Sequence, residues 1–275
     1  MHSYLIVIFN ESVFDTPTYK TLVKMFTAHP HSATLYVWDN SPLAQHPKGL
    51  VSEIEQVELV YCHSRFNEHL SVVYNKIMAL AFECDSDYMT LLDQDSHISS
   101  NFKQSIDDAP NQYLLVPKVC SDKTGQIISP RYQQYNYLFN QCAIDYLDPQ
   151  ISPGELKSEH VFAVGSGMTI SKSLWLTGVR FQETLSFYGV DTEFCSDYAK
   201  RNEHFVLLAS TIKHNASNEH DEGYEKFKWR LTKYYEHWLY QLIKYVGVPS
   251  SFASFYVRLS LKYMLLKNKT KRFLR

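Results

Sequence analysis

The sequence lacks the patterns of several common enzyme classes. It contains no G-x-x-x-x-G-K-[ST], which excludes a P-loop, and no H-E-x-x-H of a zinc protease. The Gly-Ser-Gly run at 165–167 neither extends to G-x-G-x-x-G nor forms the G-x-S-x-G elbow of a hydrolase. Asp93 and Asp95 do not begin an EF-hand, because the sixth loop position is Ile98 instead of Gly.

Cysteine is scarce, and long apolar runs are missing. The five cysteines among 275 residues are odd in number and include no C-x-x-C, which argues against a disulfide frame or a thiolate zinc site. No run approaches the roughly 20 apolar residues that span a bilayer, and the N-terminus lacks the features of a signal peptide. The net charge of −2 gives no indication of a nucleic-acid partner. We therefore expect a cytoplasmic protein in a reducing compartment.

Strand and helix patterns alternate through the first hundred residues. Four short apolar runs predict buried strands, at 4–9, 34–38, 57–61 and 88–92. Amphipathic spacing predicts a helix at 18–28 and a second one capped by Ser71, with a buried face of Val73, Ile77, Leu80 and Ala81. This order predicts an α/β fold whose strands are parallel and joined by right-handed crossovers.

The second half has a different pattern. Strands are predicted at 113–119, with a hairpin partner at 126–129, at 160–170 around the glycines, and at 205–209; a helix is predicted at 191–201. Two further helices are predicted at 229–246 and 252–266, separated by Pro249. We divide the chain into a main domain at 1–223 and a helical appendage at 224–275.

The end of the chain is strongly basic, and no acidic residue follows Glu236. One interpretation is a cationic, amphipathic appendage that lies on an anionic membrane surface. The other is a pair of helices packed on the main domain with a solvated basic end. The sequence leaves both open.

Asp93 and Asp95 follow directly after the predicted strand at 88–92. In an open α/β sheet, ligands bind outside the carboxyl ends of the strands. An Asp-x-Asp at that place can hold a divalent cation, with a substrate phosphate supplying further ligands. A polar turn is the simpler explanation for the same residues.

Three other places carry candidate chemistry. Asp39 follows the second strand and could accept from the ring N–H of a base, although it also suits a turn. Asp191 at a helix start is either a cap or a general base that takes a proton from a hydroxyl. His214 follows a strand and could be a neutral imidazole metal ligand, although a lone His is more often structural or exposed.

These residues, taken in order, resemble a family 2 glycosyltransferase of the GT-A fold, in particular its bacterial rhamnosyltransferase-like branch. The resemblance covers most of residues 4 to 215. It is carried by Asn10-Glu11, Trp38-Asp39-Asn40, the stretch 67–77 that begins Asn-Glu-His-Leu-Ser, Leu-Leu-Asp-Gln-Asp-Ser at 91–96, Gly165-Ser166-Gly167, Val-Asp-Thr-Glu-Phe-Cys at 190–195 and His214.

The resemblance implies a fold and a role for each matched residue. The fold is a Rossmann-like nucleotide-binding half within a mixed, mostly parallel central sheet, followed by C-terminal helices. Asp191 is the implied catalytic base, and Asp95 and His214 are the implied ligands of Mn²⁺ or Mg²⁺. The implied donor-binding residues are Asn10, Asp39, Asn67, Asp93, Gln94 and Asp95. The implied acceptor-binding residues are Gly165, Ser166, Gly167 and Glu193, of which Glu193 suits an orienting or acceptor-binding role better than that of a nucleophile.

The expected function is an inverting, metal-dependent transfer of a sugar from a nucleotide-diphospho-sugar to a lipid-linked or oligosaccharide acceptor in surface-polysaccharide synthesis. Rhamnose on deoxythymidine diphosphate is the first expectation for the donor. Alternatives are a transferase using a uridine-diphospho-hexose or a furanose, and a non-catalytic nucleotide- or carbohydrate-binding module of the same fold. We expect the protein on the cytoplasmic face of the inner membrane if its basic end binds lipid.

Overall fold

The computed structural model describes residues 1–110, 113–214 and 223–273, with side chains up to residue 270. The strands are β1 (His2–Ile8), β2 (Ala33–Asp39), β3 (Val57–His63), β4 (Tyr88–Asp93), β5 (Ser96–Ile98), β6 (Leu115–Ser121), β7 (Ile127–Ser129), β8 (Arg131–Asn136), β9 (Gln141–Tyr146), β10 (Gly154–Lys157), β11 (Val161–Phe162), β12 (Thr169–Ser171) and β13 (His204–His214). The helices are α1 (Pro17–Ala28), α2 (Leu70–Glu83), α3 (Phe102–Asp107), α4 (Lys172–Leu176), α5 (Val190–Ala199), α6 (Tyr224–Gln241) and α7 (Ser250–Phe273).

The first half of the chain forms the expected parallel sheet. Strands β3, β2, β1 and β4 lie side by side in that order, and all three pairings between them are parallel. Strand β2 is buried along its whole length, as expected of a strand covered by helices on both faces. The register sets Ile8 beside Asp39 and Val7 beside Asp93, so the carboxyl ends of three strands share one edge.

The second half makes the sheet mixed. Strand β12 lies between β4 and β6 and is antiparallel to both, while β13 runs parallel to β6 and antiparallel to β5 and β10. Strand β7 returns along β6 as the predicted hairpin partner. A separate three-stranded sheet has the order β11, β8, β9. The single strand predicted at 160–170 is therefore two strands in two different sheets, joined by the Gly-Ser-Gly loop.

Two details of α2 differ from the sequence prediction. The helix begins at Leu70 with His69 at the cap position, so Ser71 is not its cap. The Ser71 hydroxyl instead donates to the carbonyl of Leu185, 2.6 Å away. Leu80 is 38% exposed and does not belong to the buried face, where Met78 packs beside Val73, Ile77 and Ala81.

The C-terminal helices pack on each other and on the main sheet's helices. A small core of their own joins α6 and α7 through Tyr235, Trp238, Leu242, Ala253 and Val257. A π-helical turn, Leu242–Val246, follows α6, and α7 begins directly after Pro249. Within the described ranges, no helix combines the length and apolar character that a bilayer crossing requires.

Candidate active site

The Asp-x-Asp turn is held against the start of α1. The hydroxyl of Thr18 donates to the carbonyls of Asp93 and Ser96, and it accepts from the Ser96 amide at 2.9 Å. The amide of Thr18 also donates to the carbonyl of Gln94. These bonds close the turn around one buried hydroxyl. The carboxylates of Asp93 and Asp95 take no part in them and are 38% and 44% exposed.

His214 reaches the same turn through the register of β13. Antiparallel pairing with β5 sets His214 opposite Ser96, one residue after Asp95. Its Nδ1 lies 3.4 Å from an oxygen of Asp95, and its Nε2 lies 4.0 Å from an oxygen of Asp93. One donor atom from each of the three side chains lies within 4.8 Å of the others. Two carboxylates and an imidazole at this spacing can share one divalent cation.

Two serines connect the cluster to the Gly-Ser-Gly loop. The hydroxyls of Ser96 and Ser166 are 2.6 Å apart, and Ser96 Oγ lies 3.3 Å from His214 Nδ1. The amide of Asp93 donates to Ser166 Oγ at 3.3 Å. Ser166 is fully buried, so its hydroxyl serves to hold the loop against the strand end.

Asp191 is brought to the loop from the start of α5. Its Oδ2 accepts from the amide of Gly165 at 2.9 Å. A Cβ at residue 165 would lie 3.1 Å from Asp191 Oδ1 and 3.4 Å from the hydroxyl of Tyr74. The absence of a side chain at Gly165 therefore lets the carboxylate approach the backbone. Asp191 and Asp93 are thus hydrogen-bonded to two adjacent residues of one short loop, Gly165 and Ser166.

The charges in this region act strongly on one another. Burial raises the pKa of Asp191 to about 7, and the negative charge of Asp93 adds to the rise, while the Gly165 amide and His214 oppose it. Desolvation also raises the pKa of Asp93, although this side chain is 38% exposed; His214 opposes the rise and Asp95 adds to it. Burial and the same two acids, Asp93 and Asp191, raise the pKa of Tyr74 well above its ordinary value. Crowded acids with raised pKa values are typical of sites that bind cations or transfer protons.

Glu193 lies two residues after Asp191, but its contacts are with the C-terminal helices. Its side chain is only 1% exposed. The carboxylate oxygens are bonded to His237, Lys244 and Tyr245 at 2.7 to 3.0 Å. A direct contact between Glu193 and an acceptor stays a prediction, and its present partners suit the orienting alternative.

Asp39 is fully buried at the end of β2. One oxygen accepts from the amide of Ser41, and the other accepts from the amide of Gln45 and the hydroxyl of Tyr61. Burial would raise the pKa of Asp39, but hydrogen bonds from Ser41, Tyr61 and Gln45 hold it below its ordinary value. The carboxylate thus organises the loop after β2, and its contact with a base stays a prediction.

The remaining predicted donor residues line the same edge of the sheet. Asn10 and Asn67 have positive φ angles of 55° and 48°, which Asn adopts more readily than most residues. The amide of Asn10 donates to Ser41 Oγ at 2.7 Å. Gln94 accepts from the amide of Phe9 and donates to Glu11, so it links the turn to the loop after β1.

Gly167 allows the loop to pack closely against the side chains of Ile212 and Pro117. It has a φ of 87°, and a Cβ there would lie 2.4 Å from Ile212 and 2.5 Å from Pro117. Its amide donates to the carbonyl of Leu91 at 2.7 Å. Contacts of the 165–167 loop with donor or acceptor stay predictions.

No protein-family model and no curated protein sequence matches this chain. Among solved structures, the chain is similar to S. aureus TarS, with a TM-score of 0.54 and 12% identity over 92% of this chain and 41% of that one. It is also similar to TarS 1–349 in complex with UDP-GlcNAc, with a TM-score of 0.53 and 11% identity over 92% and 69% of the two chains. TarS is a GT-A-type glycosyltransferase.

The chain has the GT-A glycosyltransferase fold. The structural similarity confirms the fold class expected from the sequence. It does not distinguish the rhamnosyltransferase-like branch from others of this fold, so the branch stays a prediction. The chain spans 41% of the longer TarS chain, whose activity as a whole is therefore not carried over.

Two contributors were not singled out from the sequence. Tyr74 lies within the matched stretch 67–77, and its hydroxyl and Asp191 both lie close to Gly165. Its position on α2 is nevertheless that of an ordinary buried aromatic residue. Thr18 closes the Asp-x-Asp turn from 75 residues earlier in the chain. No local pattern could indicate either one, because each acts through a contact distant in sequence.

Proposed function

We propose that the protein is a metal-dependent glycosyltransferase that moves a sugar from a nucleotide-diphospho-sugar to an acceptor hydroxyl. The observation that carries this proposal is the convergence of Asp93, Asp95, Asp191 and His214 at one edge of a GT-A sheet. These residues come from β4, the turn after it, α5 and the end of β13. The two TarS complexes, which contain UDP and UDP-GlcNAc, support the choice of donor class.

The donor set fits Mn²⁺ or Mg²⁺. Asp95 and His214 are the proposed ligands, and Asp93 lies close enough to contribute a third. The alternative proposed for Asp93 is a contact with the donor ribose. Carboxylate oxygens suit both ions, and the acids crowded here gain from a nearby positive charge. When bound, the ion acts as a Lewis acid on the leaving diphosphate.

Asp191 is the proposed base. A carboxylate with a raised pKa is a stronger proton acceptor, and a pKa of about 7 suits general base catalysis near neutral pH. Its Oδ2 is held by the Gly165 amide, which leaves Oδ1 to take the proton of an acceptor hydroxyl. A single displacement assisted in this way inverts the anomeric centre.

A thermal-shift experiment tests which donor binds and whether its binding depends on the ion. The donors are deoxythymidine-diphospho-rhamnose, UDP-GlcNAc and UDP-glucose, each measured with manganese and with EDTA. A ligand that binds only the native state raises the melting midpoint. We expect one of these donors to raise the melting midpoint in manganese but not in EDTA. We expect Asp95→Ala to remove this rise. Asp108→Asn, on an exposed acid outside the cluster, is the control. An equal shift in EDTA would contradict the metal dependence.

We further propose that the acceptor is a lipid-linked saccharide of surface-polysaccharide synthesis and that α7 brings the enzyme to an anionic membrane. Helix α7 has two apolar faces. Ala253 and Val257 are buried against α6. The opposite face is 57% to 66% exposed and consists of Phe252, Phe255, Leu259, Tyr263 and Leu266. Exposed cations also lie on α7, namely Arg258, Lys262, Lys267 and Lys269.

An anionic lipid surface matches this outer face better than a second copy of the helix. No acidic residue follows Glu236, so two α7 helices would bring like charges together. An apolar stripe beside cations is typical of a helix that lies in the interface of a bilayer.

Flotation with vesicles tests the outer face of α7. We expect the protein to bind phosphatidylglycerol-containing vesicles, and the pair Phe255→Ser and Leu259→Ser to release it. Leu176→Ser, an equally exposed leucine on α4, is the matched control. Undiminished binding of the double variant would refute this face as the membrane contact.

A further inference from the structure

Glu193 is a buried charge whose only described side-chain partners come from the C-terminal segment. His237 Nε2 of α6 lies 3.0 Å from one carboxylate oxygen. Lys244 Nζ and the Tyr245 hydroxyl, both in the π-helical turn, lie 2.9 and 2.7 Å from the other. A carboxylate is costly to bury unless it is paired and fully hydrogen-bonded, so these three groups must stay in place around it.

The pKa shifts of Glu193 and Lys244 agree with a carboxylate that is held firmly by its partners. Burial would raise the pKa of Glu193, but the bonds from His237, Tyr245 and Lys244 hold it below its ordinary value. Burial opposes the charge on Lys244 as well, yet pairing with Glu193 raises the pKa of Lys244 above its ordinary value. Both groups are therefore charged at neutral pH.

The residues just before α5 also rest on α6. Gly189, with a φ of 85°, lies so close to the ring of His237 that a Cβ there would be 2.3 Å from it. The ring of Tyr188 stacks on Tyr234 at 3.8 Å, and Phe187 meets Trp229 edge-on at 5.2 Å. The first turn of α5 is thus seated on the C-terminal helices over several adjacent residues.

Asp191 lies on the other side of that turn. Two residues along an α-helix correspond to a rotation of about 200° around its axis, so the two side chains point in nearly opposite directions. Glu193 faces the C-terminal helices, and Asp191 faces the Gly165 loop. Asp191 itself has one described hydrogen bond, to the Gly165 amide. Its position therefore depends on where the turn of helix beneath it is held.

We infer that Glu193 is a positioning residue, through which α6 and the π-helical turn hold the proposed base at its working distance from the Gly165 loop. This inference rests on the proposed function for its kinetic consequence but not for its structural one. It makes the C-terminal segment part of the working site, with a role separate from any contact of α7 with lipid.

A double-mutant cycle between Glu193→Gln and Asp191→Asn tests the kinetic side, with release of nucleoside diphosphate from UDP-GlcNAc or deoxythymidine-diphospho-rhamnose as the assay. We expect Glu193→Gln to lower kcat by about 10- to 100-fold, comparable to a misplacement of the reacting group, with donor Kd within twofold. In the Asp191→Asn background the same change should have no further effect, because it acts only through the base. An unchanged kcat, or an equal further loss in that background, would overturn the inference.

Amide hydrogen exchange at Gly165 provides a readout that needs no activity. We expect Glu193→Gln to accelerate exchange of this amide by about tenfold or more, because its acceptor on Asp191 is no longer held. Asp197→Asn is the matched control: it removes another carboxylate bonded to Lys244, one turn further along α5. Tyr245→Phe, which deletes one of the three bonds, should give a smaller effect in the same direction if Glu193→Gln does not fold. Unchanged exchange would overturn the inference, whereas faster exchange in a protein without transferase activity would leave it standing and refute the proposed function alone.

Discussion

Two carboxylates in the first turn of α5 have opposite environments. Asp191 has one described hydrogen bond, lies near the acid Asp93 and has a pKa raised to about 7. Glu193 is surrounded by two basic side chains and a phenol, and its pKa is lowered although its side chain is only 1% exposed. The difference shows that burial alone does not decide the charge of an acid; the groups bonded to it do.

The comparison also separates stability from function. A fully bonded acid such as Glu193 stabilises the fold and has little freedom to change its protonation. An acid left short of partners, such as Asp191, destabilises the folded state at neutral pH and can accept a proton. The helix carries one of each because opposite faces of its first turn meet different parts of the protein.

The sharpest way to break the comparison is to remove the base. We expect Asp191→Asn to lower kcat for transfer by about 10²- to 10⁴-fold, the usual contribution of a general base, with donor affinity nearly unchanged. Steady-state kinetics and donor titration measure both quantities, and Asp197→Asn on the same helix is the control. Wild-type turnover in Asp191→Asn would refute Asp191 as the base, whereas no turnover in either protein would favour the non-catalytic binding module.

The same substitution should stabilise the protein at neutral pH. Because the pKa of Asp191 is raised from 3.8 to about 7, wild-type stability falls as pH rises through this interval, when the unfolded chain has already released the proton. In EDTA, Asp191→Asn should match wild type near pH 4 and exceed it by up to roughly 4 kcal/mol above pH 7. Urea unfolding across this range measures the difference; a constant difference would show that Asp191 keeps an ordinary pKa.

Removing a partner of Glu193 should lower the stability of the protein. Lys244→Met leaves a buried carboxylate short of one cation, and breaking such a pair costs about 3 kcal/mol. Lys200→Met, which breaks a pair with the more exposed Asp197, should cost less than about 1 kcal/mol. Chemical denaturation of the two variants compares them directly, and equal losses would indicate that the Glu193 pair contributes no more than a surface one.

A small change at the loop tests how closely Asp191 is held. In Gly165→Ala the new Cβ would lie 3.1 Å from Asp191 Oδ1, so the carboxylate must shift by a few tenths of an ångström. We expect kcat to fall by about tenfold with little change in stability. Gly223→Ala adds the same atom where no neighbour lies within 4 Å and is the control. Equal kcat values for the two variants would contradict a close fit at Gly165.

Much of the first half could be predicted from the sequence. Apolar runs and helical spacing located β1 to β4, α1 and α2, because local burial patterns follow from the period of each element. The positions of Asp93 and Asp95 at a strand end followed from the same pattern. Ser71 was misplaced because the helix starts two residues earlier than a Ser71 cap requires, and helix boundaries are the part of an element that a local pattern fixes least well. Leu80 was misplaced because tertiary contacts decide which members of an apolar stripe are buried.

The second half depended more on tertiary contacts. The run 160–170 divides between two sheets, which no local pattern distinguishes from one strand with a bulge. The sequence left Glu193 between an orienting and an acceptor-binding role. The contacts that favour the orienting role, with His237, Lys244 and Tyr245, are made by residues 44 to 52 positions further along the chain.

The sequence by itself determined which residues could do chemistry and which segments would form the parallel strands, because both follow from residue type and spacing. Only the tertiary structure decided that Asp191 approaches the Gly165 amide while Glu193 is enclosed by His237, Lys244 and Tyr245. The physical reason is that partners more than 20 residues apart meet only through packing, and the partners decide whether a carboxylate is left reactive or is held as a structural ion.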